Sequence, residues 1–206
     1  MCLLIHKPVN AALPEQLLES AAAFNPHGYG FLSYGSDGKL VVRRSSTTSA
    51  DELHALYDEF RNEECVIHLR YGTSGAVDVE NTHPLQITDN IWLAHNGMLN
   101  MDRHTTERSD TWHFVNDYLK PLLGNRAELL NERFFHELVG SWCGPHNRFI
   151  FVDGAQRRTV IVNREKGFEL DGLWLSNTRW FDASRFNWHP ARSKAGLQGP
   201  QALFAI

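Results

Sequence analysis

The 206-residue chain alternates short strand-like apolar runs with amphipathic helical stretches, and no linker long enough to part domains interrupts the pattern. This alternation constrains the fold most, because each element has an apolar face that another layer must cover. Residues 2–6 form a short apolar run around the β-compatible Leu3, Leu4 and Ile5. Pro14 then opens a helical stretch, 15–24, with Leu17, Leu18, Ala21 and Phe24 on one face. Asn25-Pro26-His27-Gly28 breaks it, and residues 29–33 and 39–43 read as a hairpin around Gly35-Ser36-Asp37-Gly38. Ser49 caps a second helix over 50–62. Residues 65–71 and 91–95 are strand-like, separated by a loop over 72–84. Ser109 caps a helix in which Trp112, Val115, Tyr118 and Leu119 recur at helical spacing, and 127–139 carries Leu130, Phe134 and Leu138. The apolar faces of both are expected in the core. Residues 148–152, 159–163 and 173–176 read as strands of a further sheet. The pattern predicts a layered α+β domain over 1–206, ending in an irregular tail over 181–206.

Composition narrows the function. With 42% hydrophobic and 21% charged residues the chain reads as an ordinary globular protein rather than a disordered or fibrous one. A net charge of −4 gives no electrostatic footprint for nucleic acid or an acidic membrane. No apolar stretch approaches the ~18 residues of a membrane span, and Pro8 with no long apolar run near it argues against a signal peptide. The three cysteines, Cys2, Cys65 and Cys143, lie far apart, which favours free thiols in the cytoplasm.

Cys2 carries the most chemical information. Removing Met1 would expose a thiol and an α-amine on one residue, and an amine with a pKa near ~8 can take the thiol proton and later return it to a leaving amine. Taken alone, Cys2 is as well explained as a small residue in a strand. The same holds for its companions. Arg70 in His68-Leu69-Arg70-Tyr71-Gly72-Thr73-Ser74-Gly75 suits a surface ion pair. Asn96-Gly97 after His95 suits a hairpin turn, and Ser109 in Ser109-Asp110-Thr111 suits a helix cap.

Together these pieces resemble the class II glutamine amidotransferase domain, an N-terminal-nucleophile (Ntn) hydrolase. Its ordered set is an N-terminal Cys, H-x-R-[WY]-x-T-x-G, N-x-H-P, H-N-G and S-D-[ST]. Here it is matched by Cys2, His68 to Gly75, Asn81-Thr82-His83-Pro84, His95-Asn96-Gly97 and Ser109-Asp110-Thr111. Asn25-Pro26-His27-Gly28-Tyr29-Gly30 is similar to an N-x-D-G-x-G element of small stand-alone members, and Leu175-Ser176-Asn177 to a late strand end. The resemblance implies a four-layer αββα sandwich and hydrolysis of the glutamine side-chain amide through a γ-glutamyl thioester on Cys2. It assigns the oxyanion donors to Asn96 and the Gly97 N–H, and the clamp on the substrate's carboxylate and ammonium to Arg70 and Asp110. Tyr71, Thr73 and Ser74 would lie on a loop closing over glutamine, with His95 beside the substrate. Gly28 would let the backbone approach the Cys2 amine.

His27 stands where the family carries another residue before the glycine, Trp112 replaces a common Glu, and the stretch after Leu175 is too short for an ammonia-using synthase domain. A separate synthase is therefore an expected partner, and the tail would either dock it or fold back over the domain's own sheet. No cofactor is expected. Cys143 and His146 form a C-x-x-H pair, but no second pair at zinc spacing accompanies it, so no metal is expected either. An amidohydrolase acting on another γ-glutamyl amide and a non-catalytic amino-acid binder are the alternatives.

Overall fold

The computed structural model describes residues 2–181; of the tail expected over 181–206, all but Phe181 lies outside them. The chain runs β1 (Leu3–Lys7), α1 (Glu15–Phe24), β2 (Tyr29–Tyr34), β3 (Leu40–Ser45), α2 (Ala50–Glu59), β4 (Cys65–Leu69), β5 (Leu85–Gln86) and β6 (Ile91–Asn96). It continues through α3 (Asp110–His113), a π-helical segment (Phe114–Leu119), α4 (Lys120–Leu123), α5 (Arg133–Cys143), β7 (Arg148–Asp153), β8 (Arg158–Val162), β9 (Phe168–Leu170) and β10 (Leu173–Leu175).

The strands form two sheets, ordered β3-β2-β4-β1-β10-β9 and β5-β6-β7-β8. Neighbours are antiparallel throughout, with Leu4 opposite His68 and Ile5 opposite both Ile67 and Leu175. The two-residue period of each strand sorts its side chains into different cores. Leu3 and Ile5 of β1 pack with Phe31, Ile67 and the Leu17–Leu18 and Leu53 faces of α1 and α2. Leu4 joins Leu32, Val66, Ala94, Ile150 and Trp174 in the layer between the sheets. Leu93, Phe149 and Phe151 pack with Phe114, Val115, Leu119, Phe135 and Val139 on the far side. The result is the expected αββα sandwich. Both faces of each sheet are covered, so the strands read as near-continuous apolar runs. Truncating a buried residue such as Leu4 to alanine should cost about 2–5 kcal/mol.

Several sequence expectations need correction. α2 stops at Glu59 rather than 62, and the short strands β5 and β9 have no counterpart in the sequence reading. The helix expected over 127–139 is a 3₁₀ turn, Ala127–Asn131, followed by α5. That break resets the helical phase, so the core takes Phe135 and Val139, while Phe134 and Leu138 are 57% and 61% exposed. Likewise the π winding turns Tyr118 outward while Val115 and Leu119 stay buried, and Phe24 at the end of α1 is 44% exposed. Among the described residues no helix is long and apolar enough to cross a membrane.

Candidate active site

Cys2 immediately precedes β1 and shares Leu4's parity, which turns its side chain toward the inter-sheet end of the sandwich. Its Sγ accepts the Tyr71 N–H at 3.4 Å, and its backbone oxygen accepts from Asn177 Nδ2 at 2.8 Å. Burial pushes the Cys2 thiol up, opposed by the Tyr71 N–H and the charge of Arg70. The resting group is therefore a thiol, and attack on a carbonyl requires a base. Burial also raises Cys65, which is wholly buried, and takes Cys143 to about 12.

Cys2 opens onto a cavity of about 30 Å³ whose wall includes Arg70, Tyr71, Thr73, Ser74, His95, Gly97 and Asp110. The fold thus brings together residues from the ends of β4 and β6, the 71–76 loop and the start of α3. At the usual minimum of roughly 10–15 Å³ for one water, this space holds a water or two.

Arg70 is 3% exposed. Its Nη2 donates to the carbonyls of Ser74 at 3.1 Å and Ala76 at 2.8 Å, while Nη1 is buried with no acceptor among the described residues. The charge that shapes the loop thus keeps one unused donor. Asp110 caps the opposite approach. Its Oδ2 accepts Leu99 N at 2.6 Å and its Oδ1 accepts Thr111 N at 2.9 Å, which leaves lone pairs on both oxygens.

His95 lines the cavity with both ring nitrogens committed. Nε2–H donates to Asn147 Oδ1 at 2.8 Å, the Thr111 hydroxyl donates to Nδ1 at 2.7 Å, and the ring stacks on Phe149. It orders the wall. Gly97 has φ +149°, and a Cβ there would strike the Asn147 side chain, so both conformation and space demand glycine. Asn96 Nδ2 lies 2.7 Å from Ser176 Oγ, which already accepts the Leu4 N–H at 2.9 Å, and Asn96 Oδ1 is buried without a partner among the described residues. Gly28 lies off the cavity. Its φ is +120°, a Cβ would sit 2.6 Å from Ser45 O, and its own carbonyl accepts Arg70 N at 2.8 Å.

Four other residues, His27, Asn81, His68 and His83, stood in the sequence motifs without an assigned role, and Arg103 carried no sequence signal. His27 Nδ1 accepts Gly72 N at 2.9 Å, so the unusual residue before Gly28 anchors the loop. Asn81 Nδ2 donates to Glu107 O and its Oδ1 accepts Ser109 N at 2.8 Å. Arg103 Nη1 donates to Ser74 Oγ at 2.8 Å. The His68 and His83 rings lie against each other with centroids 4.5 Å apart, tilted by 48°. Both His68 nitrogens and His83 Nε2 lack partners among the described residues. Burial lowers His68 to about 3, His83 well below the usual imidazole range, and His95 in the same direction. The three rings are neutral at pH 7.

The four-layer arrangement is the one expected of Ntn hydrolases, enzymes built around a nucleophile at the start of a strand between two sheets. Residues 15–117, half of the chain, match the family model for class-II glutamine amidotransferases. The chain belongs to that enzyme family. Among solved structures it is similar to the glutamine phosphoribosylpyrophosphate (PRPP) amidotransferase from B. subtilis complexed with ADP and GMP. The identity is 15% and the TM-score 0.44, over 85% of this chain and 41% of that one. The chain thus spans less than half of that neighbour's length. No curated relative matches it.

Proposed function

We propose that this chain hydrolyses the side-chain amide of glutamine through a γ-glutamyl thioester on Cys2. The observation that carries the reading is Arg70 Nη1, a buried cationic donor without an acceptor, on the wall of the same cavity as Cys2 and Asp110. An α-amino acid supplies what both ends lack: a carboxylate for Arg70 and an ammonium for Asp110. With these ends held, the γ-amide extends toward Cys2.

Once Met1 is removed, the Cys2 amine takes the thiol proton as Sγ attacks the amide carbon. The oxyanion is met by the Gly97 N–H and the Asn96 amide. For Asn96 the hydrogen-bond balance supports one orientation. Ser176 Oγ already receives the Leu4 N–H, so its own proton is free to bond Asn96 Oδ1, which would pair that buried oxygen and release Nδ2 to donate to the oxyanion. The amine then protonates departing ammonia, and water cleaves the thioester to glutamate. Tyr71, Thr73 and Ser74 close the cavity and His95 fixes its wall. Gly28 supports Arg70 through its carbonyl. Ammonia passes to an acceptor held by a separate synthase.

The test is incubation with L-glutamine, which should yield glutamate and ammonia in equal amounts. 6-Diazo-5-oxonorleucine should abolish turnover and add mass to the Cys2 peptide. Binding without turnover marks an amino-acid binder, and turnover of other γ-glutamyl amides alone moves the substrate assignment.

A further inference from the structure

One group of ligating side chains lies outside the glutamine chemistry. His113 ends α3, where the helix widens into the π-helical Phe114–Leu119, a winding often found at functional sites. The ring is wholly buried. Its Nε2 lies 3.3 Å from the Thr105 carbonyl and its Nδ1 3.1 Å from Asp117 Oδ2, two oxygens that only accept, and His104 Nε2 approaches the same carboxylate oxygen at 3.4 Å. With Nε2–H donating to Thr105, the Nδ1 lone pair is directed at the space that a cation shared with Asp117 and His104 would occupy.

The spacing fits one. Donors from the three side chains lie within 4.8 Å of one another. Tetrahedral bonds of about 2.0–2.1 Å to zinc place neighbouring donors about 3.3 Å apart, between the two distances observed. A backbone carbonyl on the far nitrogen of a ligating histidine is the usual way its tautomer is fixed. Two imidazoles and one carboxylate favour a zinc-like ion over magnesium or calcium, which prefer all-oxygen shells.

We propose that His104, His113 and Asp117 bind a zinc-class divalent cation, with water completing its coordination. The ion would tie the 103–107 segment to the helix. That segment holds the loop over Cys2, because Arg103 donates to Ser74 Oγ and the Glu107 carbonyl accepts Ala76 N at 2.9 Å. The strap role rests on the site reading above; the ion site does not.

The test uses the full chain carrying Cys2→Ala, so that the reactive thiol cannot compete, titrated with ZnCl₂ by calorimetry. One ion per chain at micromolar or tighter Kd is expected, with MgCl₂ giving no such binding. Adding His104→Ala, at a largely exposed position, should weaken zinc at least tenfold, as should Asp117→Asn. Cobalt should give a tetrahedral visible spectrum with no thiolate band. Zinc should also slow hydrogen exchange at the Ala76 amide. A folded parent that binds no zinc, or binding unchanged by His104→Ala, overturns the site. Unchanged exchange at Ala76 overturns the strap role. No assay here measures glutamine turnover, so failure leaves the glutamine reading standing.

Discussion

Asn96 and Ser176 meet at 2.7 Å across the two sheets, one at the end of β6 and the other just after β10. The side-chain amide proposed above as an oxyanion donor is thus oriented by a hydroxyl on the other sheet. Ser176→Ala removes the group that fixes the amide, and also leaves the Leu4 N–H without its acceptor, at a cost of about 1–3 kcal/mol in stability. It should lower kcat for glutamine by about 10- to 100-fold with little change in KM, as expected for a small misplacement at the reacting centre. An unchanged kcat would remove Ser176 from the positioning role.

The cysteines should separate cleanly. Cys2→Ala should abolish ammonia release, whereas Cys65→Ala and Cys143→Ala should retain it, since neither of those thiols lines the cavity that holds Arg70 and Asp110. A preparation shown by mass spectrometry to keep Met1 should be inactive. Full activity in that sample would refute the α-amine as base.

Arg70→Ala should weaken kcat/KM for glutamine by about 30- to 5,000-fold, the equivalent of roughly 2–5 kcal/mol for one partner of a buried charge contact. Arg43→Ala, on an exposed position of β3, is the control and should change it little. Arg70→Lys keeps the charge but loses the fork that holds the Ser74 and Ala76 carbonyls, and should fall between them. Equal losses for Arg70→Ala and Arg43→Ala would sink the clamp.

The buried histidines set an acid limit. His68 is lowered to about 3 in the folded chain against an ordinary value of 6.5, so below pH 6.5 the unfolded chain binds a proton that the folded one refuses. Stability is full above pH 6.5 and is lost as pH falls toward 3. His68 alone removes roughly 3 kcal/mol between pH 6.5 and 4, and His83 and His95 act in the same direction. Thermal melts should show a flat Tm above pH 7 and a steep fall below 6. Equal Tm at pH 7.5 and 4.5 contradicts this.

Much of the scaffold was legible because its signals are local. Pro14 and Asn25 bracket α1 at the bounds observed, and the short apolar runs mark β1, β4 and β7. The faces of α5 were not legible, since Phe134, Leu138 and Trp142 form a stripe as regular as Phe135 and Val139. Only the 3₁₀ turn before Arg133 and the sheet beneath decide between them. At the site, motif order found Cys2, Arg70 and Asp110, whose chemistry belongs to their side chains. It could not show that His95 spends both nitrogens on Thr111 and Asn147, nor that His27 anchors Gly72, because those roles depend on partners distant along the chain.

β1 lies between β4 and β10, and Cys2 is tied to Asn177, 175 residues further along. At translation rates of about 5–20 residues per second, on the order of ten to thirty-five seconds separate the two on the ribosome. The first residues made are among the last to be enclosed. Throughout that interval β1 lacks its β10 neighbour and Cys2 its Asn177 contact, which leaves the amino terminus open to the Met1 removal that the proposed mechanism requires. On the proposed reading the nucleophile is therefore matured before β10 and Asn177 fix it in place, and a chain cut short ahead of Leu173 keeps the cavity's lining residues but loses both of those restraints on its first strand.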